Sequence, residues 1–199
     1  MSLAIAAIVE GHAEVESVPL LLRRIIAQLG VSDIQVARPF RVKRNRVVKQ
    51  GELERAISQT IRDRAEVGGI MVLIDSDDDC PAKLGLQLLE RAKKTTHIPV
   101  SVVLAHREFE CWLLGSKESL RGVNGIVKTA TAPANPENIR GAKEDLTRNM
   151  TRGRRYLAVD DQVTFTEQFD LYIARQRCPS FDKCFREVER LLHAMSAGT

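Results

Sequence analysis

Three short apolar runs, each closing on acidic residues, constrain this chain more than any other feature. "LAIAAIV" at 3–9 leads into Glu10 and Glu14. "GIMVLID" at 69–75 ends on Asp75 and leads into Asp77, Asp78 and Asp79. "PVSVVLA" at 99–105 leads into Glu108 and Glu110. Continuous apolar runs of this length fit strands buried on both faces. Carboxylates this close repel one another and must be kept solvated or paired. Three such deposits, each at the exit of a buried strand, ask for a common explanation.

The intervening segments have helical spacing. Val18, Leu21, Leu22, Ile25, Ile26 and Leu29 recur on one face and Gly30 closes the run, as a helix C-terminus does. Residues 34–37 read as a second strand and 52–66 as an amphipathic helix. Pro81 opens a helix to about Ala92, and "EFECWLL" begins another. Strands alternating with helices imply βαβ units and a mainly parallel sheet with helices on both faces. We therefore expect an α/β core over 1–115 and, over 116–199, a loop and a helical C-terminal extension packed on the same domain. Residues 116–138, rich in Gly, Pro, Asn and Ala, read as loop. Helices are expected at about 139–149, 165–177 and 181–195, with Thr164 and Glu167 as a capping box for the second and Ser180 capping the third.

In a doubly wound sheet, functional groups gather at the carboxyl ends of the strands. That rule brings Glu10, Asp75, Glu108 and Glu110 to one edge. Asp75 and Asp77 are two apart, so an extended chain points both the same way. Glu10 and Glu14 are four apart and share a face if the chain turns helical after Gly11, where the missing side chain lets the backbone bend. Hard oxygen donors at this density suit Mg2+ or Mn2+. Asp78 and Asp79 read as a solvated turn or as first-turn acids favoured by a helix dipole. An EF-hand loop starting at Asp75 fails, since its sixth and twelfth positions are Cys80 and Leu86. Neither a Walker A sequence nor G-x-G-x-x-G is present.

Net charge is only +4, so its distribution matters more than its sum. "RPFRVKRNRVVK" at 38–49 carries Arg38, Arg41, Lys43, Arg44, Arg46 and Lys49 without an acid. Such a segment either tracks a nucleic-acid backbone by displacing its counterions or is a solvated loop. A second basic group, Arg148, Arg152, Arg154 and Arg155, is a further source of a cation. The four cysteines include no C-x-x-C and share no metal-ligand spacing with the histidines. A reduced, cytoplasmic protein is the expectation. No run approaches the ~18 apolar residues of a membrane span, so no membrane partner is expected, and the N-terminus reads as a strand rather than a signal peptide.

Taken together, "VEGHAE", "IDSD" and "REFECWLL" resemble the Toprim domain of topoisomerases, bacterial primases, recombination proteins and the overcoming-lysogenization-defect nucleases. The nearest resemblance is to small uncharacterised bacterial Toprim-like proteins, whose tails are similar to "DLYIARQRCPSFDKCFREVERLL". The resemblance implies a Toprim-like, Rossmann-like sheet. It implies that Glu10 is a metal ligand or acid/base group, Glu14 a second glutamate of the site, and Asp75 and Asp77 metal ligands, with Glu110 a further catalytic carboxylate. It also implies a lysine late in the domain, where this chain has mostly arginines, with Lys143 somewhat earlier. Two functions are then expected. One is Mg2+- or Mn2+-dependent hydrolysis of DNA or RNA phosphodiesters, with Arg41, Lys43, Arg44, Arg46 and Lys49 holding the nucleic acid. The other is a non-catalytic module that docks nucleic acid or a protein partner, such as the ATPase such proteins accompany.

Overall fold

The computed structural model describes residues 3–64 and 66–197. The first strand, β1 (Ala4–Val9), is followed by helix α1 (Glu14–Gln28), then two short strands, β2 (Gln35–Val36) and β3 (Phe40–Arg41). Helices α2 (Arg44–Val47) and α3 (Glu52–Arg62) lead to strand β4 (Val67–Asp75). Helix α4 (Pro81–Thr95) and strand β5 (Val100–Ala105) complete the sheet. All pairings are parallel, in the order β2-β1-β4-β5, with β3 also on β1. The expected α/β architecture with a parallel sheet is therefore what the chain forms. The strand at 34–37 contracts to two residues, and β3, not expected from the sequence, sets Phe40 and Arg41 beside Ile8 and Val9.

Strand side chains alternate between the two faces, and each face has its own core. Ile5, Ala7, Val9, Met71, Leu73 and Val103 turn toward α1 and the C-terminal helices. Ile8, Ile70, Val72, Ile74, Val102 and Leu104 turn toward α3 and α4, meeting Leu53, Ile57 and Leu88. Burial on both faces explains why the strands read as unbroken apolar runs.

Beyond β5 come α5 (Glu110–Gly115), α6 (Ala142–Arg148), α7 (Ala158–Gln168), α8 (Leu171–Arg177) and α9 (Pro179–Ala197). Residues 116–138 form loop with short 3-10 turns, as expected. The helix expected at 165–177 is instead two helices, broken at Phe169 and Asp170. Thr164 lies inside α7, so the capping box does not form. Asp170 is the cap, its carboxylate accepting from the Ile173 N–H at 2.9 Å. The expected cap at Ser180 is also corrected: Ser180 lies within α9, and its hydroxyl accepts from Trp112 Nε1 at 2.8 Å. The C-terminal helices belong to the main core. Trp112 packs at 5.1 Å, in tilted geometry, against both Phe109 and Phe181, and Phe181 meets Phe169 edge-on. No helix among the described residues is long and apolar enough to cross a membrane.

Candidate metal centre

Strand order decides where the site lies. β1 pairs with β2 on one side and β4 on the other, so the sheet's winding reverses between β1 and β4. Crevices outside the carboxyl ends of strands at such a reversal are where open α/β sheets take ligands. Glu10 follows β1 directly and Asp75 is the last residue of β4.

Here Glu10, Glu14 and Asp75 come together, each offering a carboxylate oxygen within 4.8 Å of the others. Glu14, in the first turn of α1, folds back so that its Oε2 accepts from the Glu10 and Gly11 N–H groups, both at 3.0 Å. A Cβ on residue 11 would stand 3.1 Å from Glu14 Oε1, so glycine leaves that carboxylate room. Glu10 Oε2 accepts from the Asp75 N–H at 3.3 Å. Asp75 Oδ1 accepts from the Phe109 N–H at 2.8 Å, which ties β4 to the segment after β5.

Burial dominates the electrostatics of this trio. It pushes the Glu10 carboxyl up to about 7, with Glu14 adding repulsion. Asp75 is raised well above its ordinary range by burial and then by Glu14, Glu110 and Glu10. Glu14 is raised too, again chiefly by burial, against the two N–H groups that favour its charge. These acids resist ionising together, the condition that a divalent cation relieves. Three hard oxygen donors from two adjacent strand ends fit Mg2+ or Mn2+.

Asp77 lines the same cleft, of about 350 Å³, but is placed differently. Its φ of +49° ends the extended chain, so the alternation that would have aligned it with Asp75 fails. Its carboxylate is exposed and pairs with Arg44 Nε at 3.2 Å. Asp78 pairs with Arg107 and Arg140, and Asp79 with Arg44, so the acidic turn is both solvated and paired.

Cations complete the cleft. Lys143, at the start of α6, sets its ammonium 2.9 Å from Glu108 and 3.1 Å from Glu110. Burial would favour its neutral form, but Glu110 and Glu108 outweigh it and hold the ammonium above its ordinary value. Glu110 is almost wholly buried, and its Oε1 accepts from the Tyr156 hydroxyl at 3.1 Å and from Gln162 at 3.3 Å. Glu108 also accepts from the Ala142 N–H. Sequence reasoning noted Lys143 without placing it and passed over Tyr156 and Gln162. Arg148 pairs with Asp145 and Arg154 with Asp161, while Arg152 and Arg155 are exposed.

The chain matches a family model described as Domain of unknown function (DUF4276) over residues 9–189. It belongs to the DUF4276 family. No curated protein and no solved structure matches it. For this DUF4276 chain the matched span takes in every residue of the cleft, from Glu10 to Lys143, together with Tyr156 and Gln162.

The basic segment divides. Arg44 is spent on the fold, donating to the Asp75 and Ser76 carbonyls, each at 2.9 Å. Arg41 donates to the Glu10 carbonyl at 3.2 Å and, with Lys43, Arg46 and Arg55, lines a groove beside the cleft. Arg46 pairs with Glu52. Lys49 and Arg38 do not line this groove, and Lys49 is exposed.

Proposed function

We propose that this protein is a Mg2+- or Mn2+-dependent phosphodiesterase acting on DNA or RNA, with a Toprim-like site. The observation that carries the reading is the meeting of Glu10, Glu14 and Asp75 beside Lys143, drawn from three separate segments of the chain. Glu10, Glu14 and Asp75 would hold the metal, with Asp77 in reach of the cleft mouth once released from Arg44. A bound divalent ion there supplies Lewis-acid stabilisation and an acidified water. Glu110 and Glu108 fix the Lys143 ammonium where negative charge gathers on a phosphoryl group, a pre-set electrostatic contribution. Arg44 holds the carbonyls of Asp75 and Ser76 and so fixes the turn that carries Asp77. Arg41, Lys43 and Arg46, with Arg55, form the track for a phosphate backbone.

The test pairs Mn2+ titration, followed by thermal shift, with cleavage assays on single- and double-stranded DNA and RNA. Wild type should be stabilised by Mn2+ and should cleave at least one substrate. In Asp75→Asn, whose amide oxygen can still accept from the Phe109 N–H, both responses should vanish. Its metal-free melting temperature should stay level or rise, because a buried like-charged group has gone. Mn2+ binding without cleavage of any substrate would reassign the protein as a non-catalytic binding module. No Mn2+ response at all would remove the metal centre itself.

A further inference from the structure

Arg107 stands in a backbone conformation that an arginine seldom adopts. Its φ is +65°, and that of Asp77 is +49°. Left-handed residues other than glycine are uncommon, and they persist only where the surroundings hold them. Here the exits of β4 and β5 hold each other. The Arg107 N–H donates to Ser76 Oγ at 2.8 Å, and its carbonyl accepts from the Asp77 N–H at 3.1 Å. Glu108, the next residue, accepts from the Ala142 N–H at 3.2 Å and from Lys143 at 2.9 Å, so the start of α6 is tied to the same point. That tie brings Arg140, two residues before Ala142, to the cleft beside Arg107.

The two guanidiniums converge on one oxygen. Asp78 Oδ1 lies 3.3 Å from Arg107 Nη1 and 2.8 Å from Arg140 Nη2. Yet Asp78 is a poor reason for the arrangement. Its side chain is 72% exposed, and ion pairs in solvent contribute little, so it does not account for a strained backbone that sets Arg107 in the cleft. It also fills only part of the fork. An arginine matches an oxyanion through two parallel N–H bonds, whereas Asp78 takes a single long one. Arg107 Nε is buried and has no acceptor among the described residues, a costly state for a donor.

We propose that Arg107 and Arg140 form the site for a phosphate group of the nucleic-acid substrate, and that Asp78 is the internal occupant this phosphate displaces. The site rests on the metal-dependent reading above. The cleft is lined by five acids against three cations, so it repels an anion until a divalent ion offsets Glu10, Glu14 and Asp75. With that charge offset, Arg107, Arg140 and Lys143 are the cations left to meet a phosphate, which gives Arg107 the second acceptor that Asp78 does not. An internal occupant lowers apparent affinity by the fraction of molecules in which it holds the site. Asp78 thereby sets how tightly the phosphate is held.

The probes are inorganic phosphate, followed by calorimetry, and a labelled oligothymidylate with phosphorothioate linkages, which resist cleavage, followed by anisotropy. Each is titrated in saturating Mg2+ and in chelator. Wild type should bind both only with the metal. Asp78→Asn should bind both several-fold tighter. Arg140→Gln should weaken both about threefold, as a partly solvent-screened contact. Arg107→Lys, which keeps the charge and loses the fork, should weaken them about tenfold, the effect of one lost charge-assisted hydrogen bond. Should Arg107→Lys fail to fold, Asp78→Asn and Arg140→Gln carry the test, since both side chains are exposed. The rise in melting temperature with Mg2+ should be the same in every variant, because none of these residues holds the ion. A normal metal response with binding indifferent to the substitutions overturns this site alone. No metal response overturns it together with the metal-dependent reading. Phosphate that follows the substitutions while the oligonucleotide ignores them would make this a site for free phosphate and overturn its assignment to the substrate.

Discussion

Glu110 is the most exacting side chain of the cleft, a carboxylate 1% exposed that depends on Lys143 for its counter-charge. Removing one member of such a pair leaves the other charge buried and uncompensated, whereas removing both can be nearly neutral. Lys143→Met should therefore lower the midpoint of urea unfolding, and Glu110→Gln in the same chain should restore much of the loss. A double-mutant cycle reads the coupling directly. If the two losses simply add, Lys143 and Glu110 do not act as a pair. The carboxylates of this cleft were legible in the sequence because each follows an apolar run whose end is visible. Lys143, Tyr156 and Gln162 were not. They sit on α6, before α7 and within α7, and only tertiary packing brings them to Glu110. Asp77 misled for a local reason: the left-handed turn at its own backbone, φ +49°, is invisible to a rule that counts alternate residues.

At the scale of elements, the break between α7 and α8 is the instructive departure. Apolar spacing runs on through Phe165, Phe169, Tyr172 and Ile173, so periodicity alone joins the two helices. What parts them is hydrogen bonding. Asp170 caps α8, while Arg24 of α1 donates to the Thr166 and Phe169 carbonyls at 2.7 and 2.9 Å. The end of α7 is thereby satisfied from another element rather than by its own next turn. Asp170→Ala should cost about 1 kcal/mol, the usual worth of an N-cap, measured by chemical denaturation. A change near zero would show that packing alone sets the break. The strands and the α1, α3 and α4 helices were legible because their burial pattern is simple. The pair β2 and β3 was less so, since two-residue strands leave too short a pattern to count.

Over the whole molecule, two carboxylate clasps hold helices in place. Glu54 of α3 meets Arg91 of α4 at 2.7 Å, and Glu187 of α9 accepts from Lys183, Arg190 and Ser101 of β5. Hydrogen bonding from Arg91 draws Glu54 down to about 2. Glu187 also lies at about 2, since its partners outweigh the burial that would raise it. A depressed carboxylate contributes stability that is full above its ordinary value of 4.5 and is lost as pH falls through about 2. Glu10 acts in the opposite sense. Raised by burial to about 7, it favours the fold below 4.5, and that contribution is lost as pH rises through about 7. Metal-free protein in chelator should therefore gain stability as pH rises from 2 to 4.5 and decline toward 7. Urea midpoints taken across that window trace the two limbs. Glu54→Gln should flatten the acid limb, and Glu10→Gln the neutral one.

Because Glu108 and Glu110 stand on one side of the 116–138 loop and Lys143, Tyr156 and Gln162 on the other, neither half of the chain is self-sufficient. The fragment ending at residue 115 leaves Glu110 without any of its three partners and bares the face of the sheet that α9 covers. Produced alone, it should be insoluble. Produced together with the fragment from residue 116 onward, which keeps the buried Leu120, Ile126 and Ala130 of the loop, it should be rescued into a soluble pair that co-purifies. Failure of the two fragments to find each other would mean that the covalent link itself is needed to bring lysine and glutamate into register.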